Sequence, residues 1–120
     1  MRPILFIDRD GTIVSETNYG FVDQIEKLIF LPDALYYLRK IQEESQFLLV
    51  LVSNQDGLGT EGYQESRFYP IHNFIMRTLN SQGVHFDRVH IDGHYESSNH
   101  GNRKPGIGML TDYLLSLIHI

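Results

Sequence analysis

The chain has 120 residues, a formal net charge of −5 and no cysteine, and this length suits a single domain. The negative charge argues against a surface that coats nucleic acid or an anionic membrane, and the lack of cysteine excludes disulfides and thiolate metal sites. The amino-terminal apolar run, residues 4–7, is too short for a membrane span or a signal-peptide core. We therefore expect one soluble, cytoplasmic domain that binds neither nucleic acid nor membrane.

Apolar runs alternate with helical patterns along the chain. Two apolar runs, residues 4–7 and 47–52, are typical of buried parallel strands, and a third strand is predicted near residues 86–91. Three amphipathic patterns predict helices that begin near residues 32, 66 and 105. Residues 13–31 are predicted to form a loop or flap. This alternation predicts an α/β fold, a Rossmann-like parallel sheet with flanking helices and right-handed crossovers.

Helical spacing also predicts which side chains face the core. In the first helix these are Leu35, Leu38 and Ile41, with Arg39, Lys40, Glu43 and Glu44 facing out. In the second helix they are Ile71, Phe74, Ile75 and Leu79. Both helices are therefore expected to cover the sheet with one apolar stripe.

Polar clusters follow the predicted strands. Asp8 and Asp10 come directly after the first strand, Ser53 and Asn54 follow the second, and Lys104 follows the third strand and its loop. Because active sites of parallel sheets lie outside the carboxyl ends of the strands, these clusters are expected to meet. Each cluster alone is more typical of a turn, a cap or an exposed surface, so their joint placement carries the prediction.

The clusters suit phosphoryl transfer through a carboxylate. Asp8 is the candidate nucleophile, and Asp10 is the candidate acid that protonates the leaving alcohol and then activates water. Magnesium is expected between the Asp8 carboxylate, the Asp10 main-chain carbonyl and the phosphate. Ser53, Lys104 and the main-chain amides near Gly11 are expected to bind the phosphate oxygens.

Three segments resemble the motifs of the haloacid-dehalogenase superfamily: residues 6–12, 52–55 and 103–105. The Asp-Arg-Asp-Gly-Thr form of the first is typical of its compact phosphatases without a large cap. Three further segments resemble the histidinol-phosphate phosphatase family: residues 53–60, 70–76 and 81–87. The similarity extends from about Ile4 to Tyr113, nearly the whole chain.

The family resemblance implies magnesium-dependent hydrolysis of histidinol phosphate, a step of histidine biosynthesis. It adds Asn54 and Arg103 as phosphate or substrate contacts. It also suggests that Glu16 binds the substrate amino group, with an exposed loop carboxylate as the alternative. His72 and Asn73 are expected to orient the loop after the second motif. Three aromatic residues are expected to pack in the core or flap: Tyr19, Phe21 and Phe30.

The chain departs from the family at two places. Many relatives carry a zinc site before the third motif, but here residues 92–102 offer only Asp92, His94 and His100 as ligands, so structural zinc is not expected. The superfamily's fourth motif adds an acidic magnesium ligand on a later strand, and no Asp or Glu follows Asp112. We therefore expect residues 1–120 to be one phosphatase domain that lacks its last strand or strands.

The last six residues, 115–120, resemble the translation of a sequencing adapter, and we expect them to be a non-native tail.

Two alternatives to a histidinol phosphatase stay open: another capless phosphatase, acting on heptose bisphosphate or polynucleotide 3′-phosphate, and an inactive phosphate-binding fragment. A receiver domain does not explain Ser53 and Lys104 behind the two aspartates. In some members of the family the phosphatase is fused to imidazoleglycerol-phosphate dehydratase, and such a fusion stays open here.

Overall fold

The computed structural model describes residues 2–16, 22 and 24–93. These residues contain a three-stranded sheet and two α-helices. In chain order the elements are β1 (Ile4–Asp8), α1 (Ala34–Glu44), β2 (Leu48–Asn54), α2 (Glu65–Ser81) and β3 (Arg88–Asp92). A short 3₁₀ turn, Ile25–Lys27, precedes α1. None of the helices in this described part is long and apolar enough to cross a bilayer.

The strands are parallel and lie in the order β1-β2-β3. Asp8 at the end of β1 lies opposite Val52, and Asn54 at the end of β2 lies opposite Asp92 at the end of β3. The three carboxyl ends therefore form one polar edge, as parallel pairing requires. The predicted α/β fold with a parallel sheet and flanking helices is confirmed.

One face of the sheet and both helices form the main core. Side chains alternate between the faces of a strand, and Ile7, Leu49 and Leu51 point to this side. The helices contribute four buried residues to the same core: Leu38, Ile71, Ile75 and Leu79. Both helices lie on one face because right-handed crossovers in the same direction place them there.

The other face of the sheet is also apolar. Val50 and Val52 are buried on it, with Ile4 and Phe6 packed against them. Apolar residues on both faces explain why β2 is a continuous apolar run rather than an alternating one. The sheet therefore has the two-sided burial that is typical of α/β proteins.

Some predicted boundaries and orientations are wrong. Ser53 and Asn54 are the last residues of β2 rather than the loop after it. In α2, Phe74 is exposed rather than buried, whereas Phe68, which was not predicted to face the core, is fully buried. Asp33 precedes α1 in the left-handed conformation, with φ of 63° and no side-chain cap hydrogen bond. The predicted helix near residue 105 lies outside the described residues.

Candidate active site

The segment after β1 folds into a tight turn around one carbonyl. The Arg9 carbonyl oxygen accepts hydrogen bonds from the amides of Thr12, Ile13 and Val14 at 3.4, 2.9 and 3.1 Å. The Gly11 amide donates to the Val14 carbonyl at 2.7 Å, and Gly11 has φ of +88°, a conformation that favours glycine. This turn places Asp8 before it and Asp10 within it.

Asp8 is half-buried at the carboxyl end of β1. Its Oδ1 accepts a hydrogen bond from the Arg9 main-chain amide at 2.9 Å. That bond orients the carboxylate at the polar edge of the sheet. The position suits the predicted nucleophile, because the edge is where parallel sheets bind ligands.

Two side chains hold the Asp10 carboxylate. Arg9 Nε donates to Asp10 Oδ1 at 2.8 Å, and Arg9 Nη2 donates to Oδ2 at 3.3 Å. Gln55 Nε2 also donates to Oδ2, at 2.8 Å. The carboxylate thus accepts hydrogen bonds at both oxygens, and its orientation is set by residues from two motifs.

Gln55 links the first motif to the second. Besides Asp10, its Nε2 contacts Ser53 Oγ at 2.8 Å, and its Oε1 accepts a hydrogen bond from the Tyr63 hydroxyl at 3.1 Å. Gln55, Ser53 and Tyr63 are all buried. The buried amide therefore brings the candidate acid–base residue and the candidate phosphate-binding hydroxyl into one network.

The Arg9 side chain is fully buried and extends to α2. Its Nη1 lies 3.1 Å from His72 Nδ1, and its guanidinium carbon lies 5.0 Å from the centre of the Phe68 ring. His72 stacks on Phe68 with ring centres 5.2 Å apart and an interplanar angle of 15°. Burial, followed by the charge of Arg9, lowers the pKa of His72 to about 4, against a smaller opposing effect of Asp10.

These contacts bear on the expectation for the two α2 residues. His72 contacts the first motif through Arg9, and its role in orienting the loop after the second motif stays a prediction. Asn73 is exposed and lines a surface groove on the outside of α2. The sequence did not identify Arg9, Gln55 or Tyr63 as parts of the site. The position of Arg9 between two aspartates is the local signal that could have identified it.

Glu16 lies beside the first-motif turn. A Cβ built on Gly11 would be 2.9 Å from Glu16 Oε1, so the carboxylate lies over the glycine. The base of the flap is held by main-chain bonds from Ser15 to Ile29 at 2.7 Å and from Leu31 to Ile13 at 2.9 Å. These bonds keep Glu16 close to the polar edge of the sheet.

Phe30 pairs with Val14 at the base of the flap and packs against the main core. Its predicted packing role is confirmed. Tyr19 and Phe21 lie outside the described residues. So do the predicted phosphate contacts Arg103 and Lys104.

The described residues include oxygen donors that suit magnesium. Magnesium is usually bound by one or two carboxylates together with phosphate oxygens and waters. The Asp8 carboxylate and the Asp10 main-chain carbonyl are oxygen donors of this kind, so the donor chemistry fits the predicted ligands. Because both oxygens of the Asp10 carboxylate accept hydrogen bonds, its main-chain carbonyl is the better candidate.

A cluster of three or more His, Asp or Glu side chains suited to a metal does not occur within residues 2–16, 22 and 24–93. Asp92 is buried at the end of β3. His94 and His100, the other ligands considered for zinc, lie beyond the described segment.

The chain is similar to bifunctional proteins of histidine biosynthesis. The histidine biosynthesis bifunctional protein HisB of Spirosoma linguale is 48% identical over 114 residues, which cover 94% of this chain and 30% of that protein. HisB of Bacteroides fragilis is 42% identical over 114 residues, with the same coverage of 94% and 30%. The chain therefore spans about 30% of the length of these curated relatives. No profile of a known family matches it.

The fold matches a solved phosphatase. The D,D-heptose 1,7-bisphosphate phosphatase from B. bronchiseptica, crystallised with magnesium and phosphate, superposes with a TM-score of 0.81. It is 25% identical, and the match covers 96% of this chain and 63% of that one. The fold is therefore similar to that of haloacid-dehalogenase-like phosphatases. The resemblance predicted from the motifs, to these phosphatases and to proteins of histidine biosynthesis, is confirmed.

Proposed function

We propose that the protein is a magnesium-dependent phosphatase that hydrolyses histidinol phosphate through an aspartyl phosphate formed on Asp8. One observation carries the proposal: Gln55 contacts both Asp10 and Ser53 at 2.8 Å. The acid–base candidate and the phosphate-binding candidate thus belong to one site at the end of β1 and β2. The identity of up to 48% with HisB supports the choice of substrate.

In the first step a carboxylate oxygen of Asp8 attacks phosphorus. The bond between phosphorus and the substrate oxygen breaks, and Asp10 transfers its proton to that oxygen as the alcohol leaves. The products of this step are histidinol and a phosphoryl group bonded to Asp8. Asp10 is then deprotonated and ready to act as a base.

In the second step water attacks the phosphoryl group. Asp10 accepts a proton from the water as its oxygen bonds to phosphorus, and the bond between phosphorus and Asp8 breaks. Inorganic phosphate leaves, and both aspartates return to their starting protonation states. The same side chain serves as acid and then as base, which requires that its carboxylate stay in place between the steps.

Phosphate binding requires donors and positive charge. The Ser53 hydroxyl and the main-chain amides around Gly11 are the proposed donors among the described residues, and Asn54, Arg103 and Lys104 are proposed as further contacts. Magnesium, when bound by Asp8 and the Asp10 carbonyl, supplies the charge that offsets the phosphate.

Substrate recognition is proposed to involve Glu16. Histidinol phosphate carries an ammonium group, and the Glu16 carboxylate lies exposed at the first-motif turn, over Gly11. A carboxylate at that position can pair with an ammonium group of a phosphate ester bound at the edge of the sheet. The similarity to a heptose bisphosphate phosphatase supports a second candidate, a sugar phosphate without an ammonium group.

A fusion partner and a cellular location are also proposed. The relatives are named bifunctional and the chain spans about 30% of them, which supports a fusion to a second activity such as imidazoleglycerol-phosphate dehydratase. A small phosphorylated substrate and a biosynthetic role suit a cytoplasmic location.

The test is phosphate release by the protein as its gene encodes it. Histidinol phosphate, D,D-heptose 1,7-bisphosphate and a 3′-phosphorylated oligonucleotide are compared with magnesium and with EDTA. We expect the highest kcat/KM for histidinol phosphate, with loss of activity in EDTA. Asp8→Asn should lower kcat at least about a thousandfold, whereas Asp33→Asn should not. Preference for heptose bisphosphate would change the substrate assignment, and no release from any substrate would contradict a phosphatase.

A further inference from the structure

Arg9 carries a positive charge that is fully buried beside the acid–base candidate. A buried charge is unfavourable unless it is paired and hydrogen-bonded. Arg9 meets this need by donating from Nε and Nη2 to the two oxygens of Asp10, at 2.8 and 3.3 Å. This two-point geometry fixes the plane of a carboxylate, which a lysine ammonium cannot do.

The remaining nitrogen of the guanidinium, Nη1, contacts a side chain of α2. Arginine can only donate hydrogen bonds, so the His72 Nδ1 that lies 3.1 Å from Arg9 Nη1 must accept one. His72 is therefore neutral, with its proton on Nε2. Phe68 packs against both partners and fixes the plane of the imidazole ring. The low pKa of His72 agrees with a neutral ring at pH 7.

We propose that Arg9 and His72 are positioning residues for proton transfer by Asp10, with His72 holding Arg9 and Arg9 holding the carboxylate. The inference rests on the proposed function, because it assigns a role within that reaction. Neither residue has to contact the substrate. Their effect is to keep the Asp10 carboxyl group oriented toward the leaving oxygen of the substrate, which general acid catalysis requires.

The structure offers substitutions that separate the contacts. Arg9→Lys keeps the charge and loses the two-point contact. His72→Leu removes the acceptor, whereas His72→Asn keeps an oxygen near the position of Nδ1. His85→Leu and Arg39→Lys are matched controls, because both residues are exposed and Arg39 pairs with Glu43 of its own helix.

The decisive readout is how the loss of kcat/KM in each variant depends on the leaving group of the substrate. An alkyl phosphate such as histidinol phosphate needs a proton on its leaving oxygen, whereas 2,4-dinitrophenyl phosphate releases a stable anion that needs none. Because kcat/KM covers only the steps up to release of the leaving group, it isolates the acid role of Asp10. A purely structural role would lower kcat/KM equally for both substrates.

We expect His72→Leu and Arg9→Lys to lower kcat/KM for histidinol phosphate about tenfold or more, and for the dinitrophenyl ester less than about threefold. His72→Asn should recover most of the loss. The thermal unfolding of each variant is measured beside the kinetics, and Arg9→Lys supplies the test if His72→Leu fails to fold. Equal losses for the two substrates would overturn the positioning role and leave the phosphatase function standing.

Nitrogen NMR of the imidazole supplies a readout that does not depend on turnover. The expected result at neutral pH is a His72 ring with its proton on Nε2 and none on Nδ1. A proton on Nδ1 would overturn the proposal, because Arg9 could not then donate to that atom. An enzyme that releases no phosphate from any ester would contradict the proposed function, and the positioning role with it.

Discussion

Gly93, directly after β3, lies against the main-chain oxygen of Leu58 in the loop that follows β2. A Cβ built on Gly93 would be 2.8 Å from that oxygen, which is closer than real Cβ atoms approach. Two main-chain bonds join the same segments, from the Gln55 amide to the Asp92 carbonyl at 2.8 Å and from the Gly57 amide to the Gly93 carbonyl at 2.9 Å. The second-motif loop is therefore seated directly on the end of β3.

Gly93→Ala should displace this loop, because the neighbouring atom belongs to the backbone and cannot rotate away. We expect a loss of about 1–3 kcal/mol in the free energy of unfolding and a fall in kcat. Urea unfolding and phosphate release are the measurements. Gly62→Ala is the control from the same loop, since a Cβ there meets Thr60 Oγ1 only at 3.8 Å. Equal stability of the two variants would contradict the close contact.

Gln55→Leu should affect both stability and turnover. The substitution removes the amide that contacts Asp10 and Ser53 and leaves the buried Tyr63 hydroxyl without this partner. Removing one hydrogen-bond partner of buried polar groups costs about 1–3 kcal/mol. Urea unfolding should show a loss of that size, and kcat should fall. Gln46→Leu at an exposed position is the control, and a fall in kcat of similar size there would argue against a specific network.

The stability of the protein should depend on pH through His72. Its pKa is lowered to about 4 in the folded protein, from an ordinary value of 6.5, chiefly by burial and next by the charge of Arg9. Between these values the unfolded chain binds a proton that the folded chain does not. The contribution of neutral His72 to the free energy of unfolding is therefore fully present above pH 6.5 and is lost as the pH falls toward 4.

The matching measurement is urea unfolding of wild type and His72→Asn from pH 4.5 to 7.5. The free energy of unfolding of wild type should fall by about 1–3 kcal/mol more than that of the variant over this range. The same substitution at the exposed His85 should leave the wild-type slope unchanged. Parallel curves for wild type and His72→Asn would show that His72 titrates normally in the folded protein.

The two phenylalanines of α2 should respond differently to truncation. Phe68 is fully buried against Arg9 and His72, whereas Phe74 is 41% exposed. Phe68→Ala should cost about 3–5 kcal/mol of unfolding free energy, and Phe74→Ala less than about 1 kcal/mol. Thermal or urea unfolding of both variants decides this. A larger loss for Phe74→Ala would mean that the helix faces the core as the sequence pattern predicted.

Local sequence patterns were sufficient to predict the sheet and most of α1. A continuous apolar run such as residues 48–52 is typical of a strand that is buried on both faces, as in a parallel sheet covered by helices. The wrong assignment of Phe74 has a simple cause. Several apolar residues of α2 satisfy a helical period, and the period alone does not decide which face carries the larger contact with the sheet.

The sequence by itself determined the fold class, the family resemblance and the placement of Asp8, Asp10 and Ser53 at the ends of strands, because these follow from apolar runs and short motifs. The tertiary structure alone decided that Gln55 joins the two motifs and that His72 holds Arg9. These contacts join residues 45 and 63 positions apart. No local pattern encodes them, because they depend on how the crossovers place α2 and the second-motif loop over the end of β1.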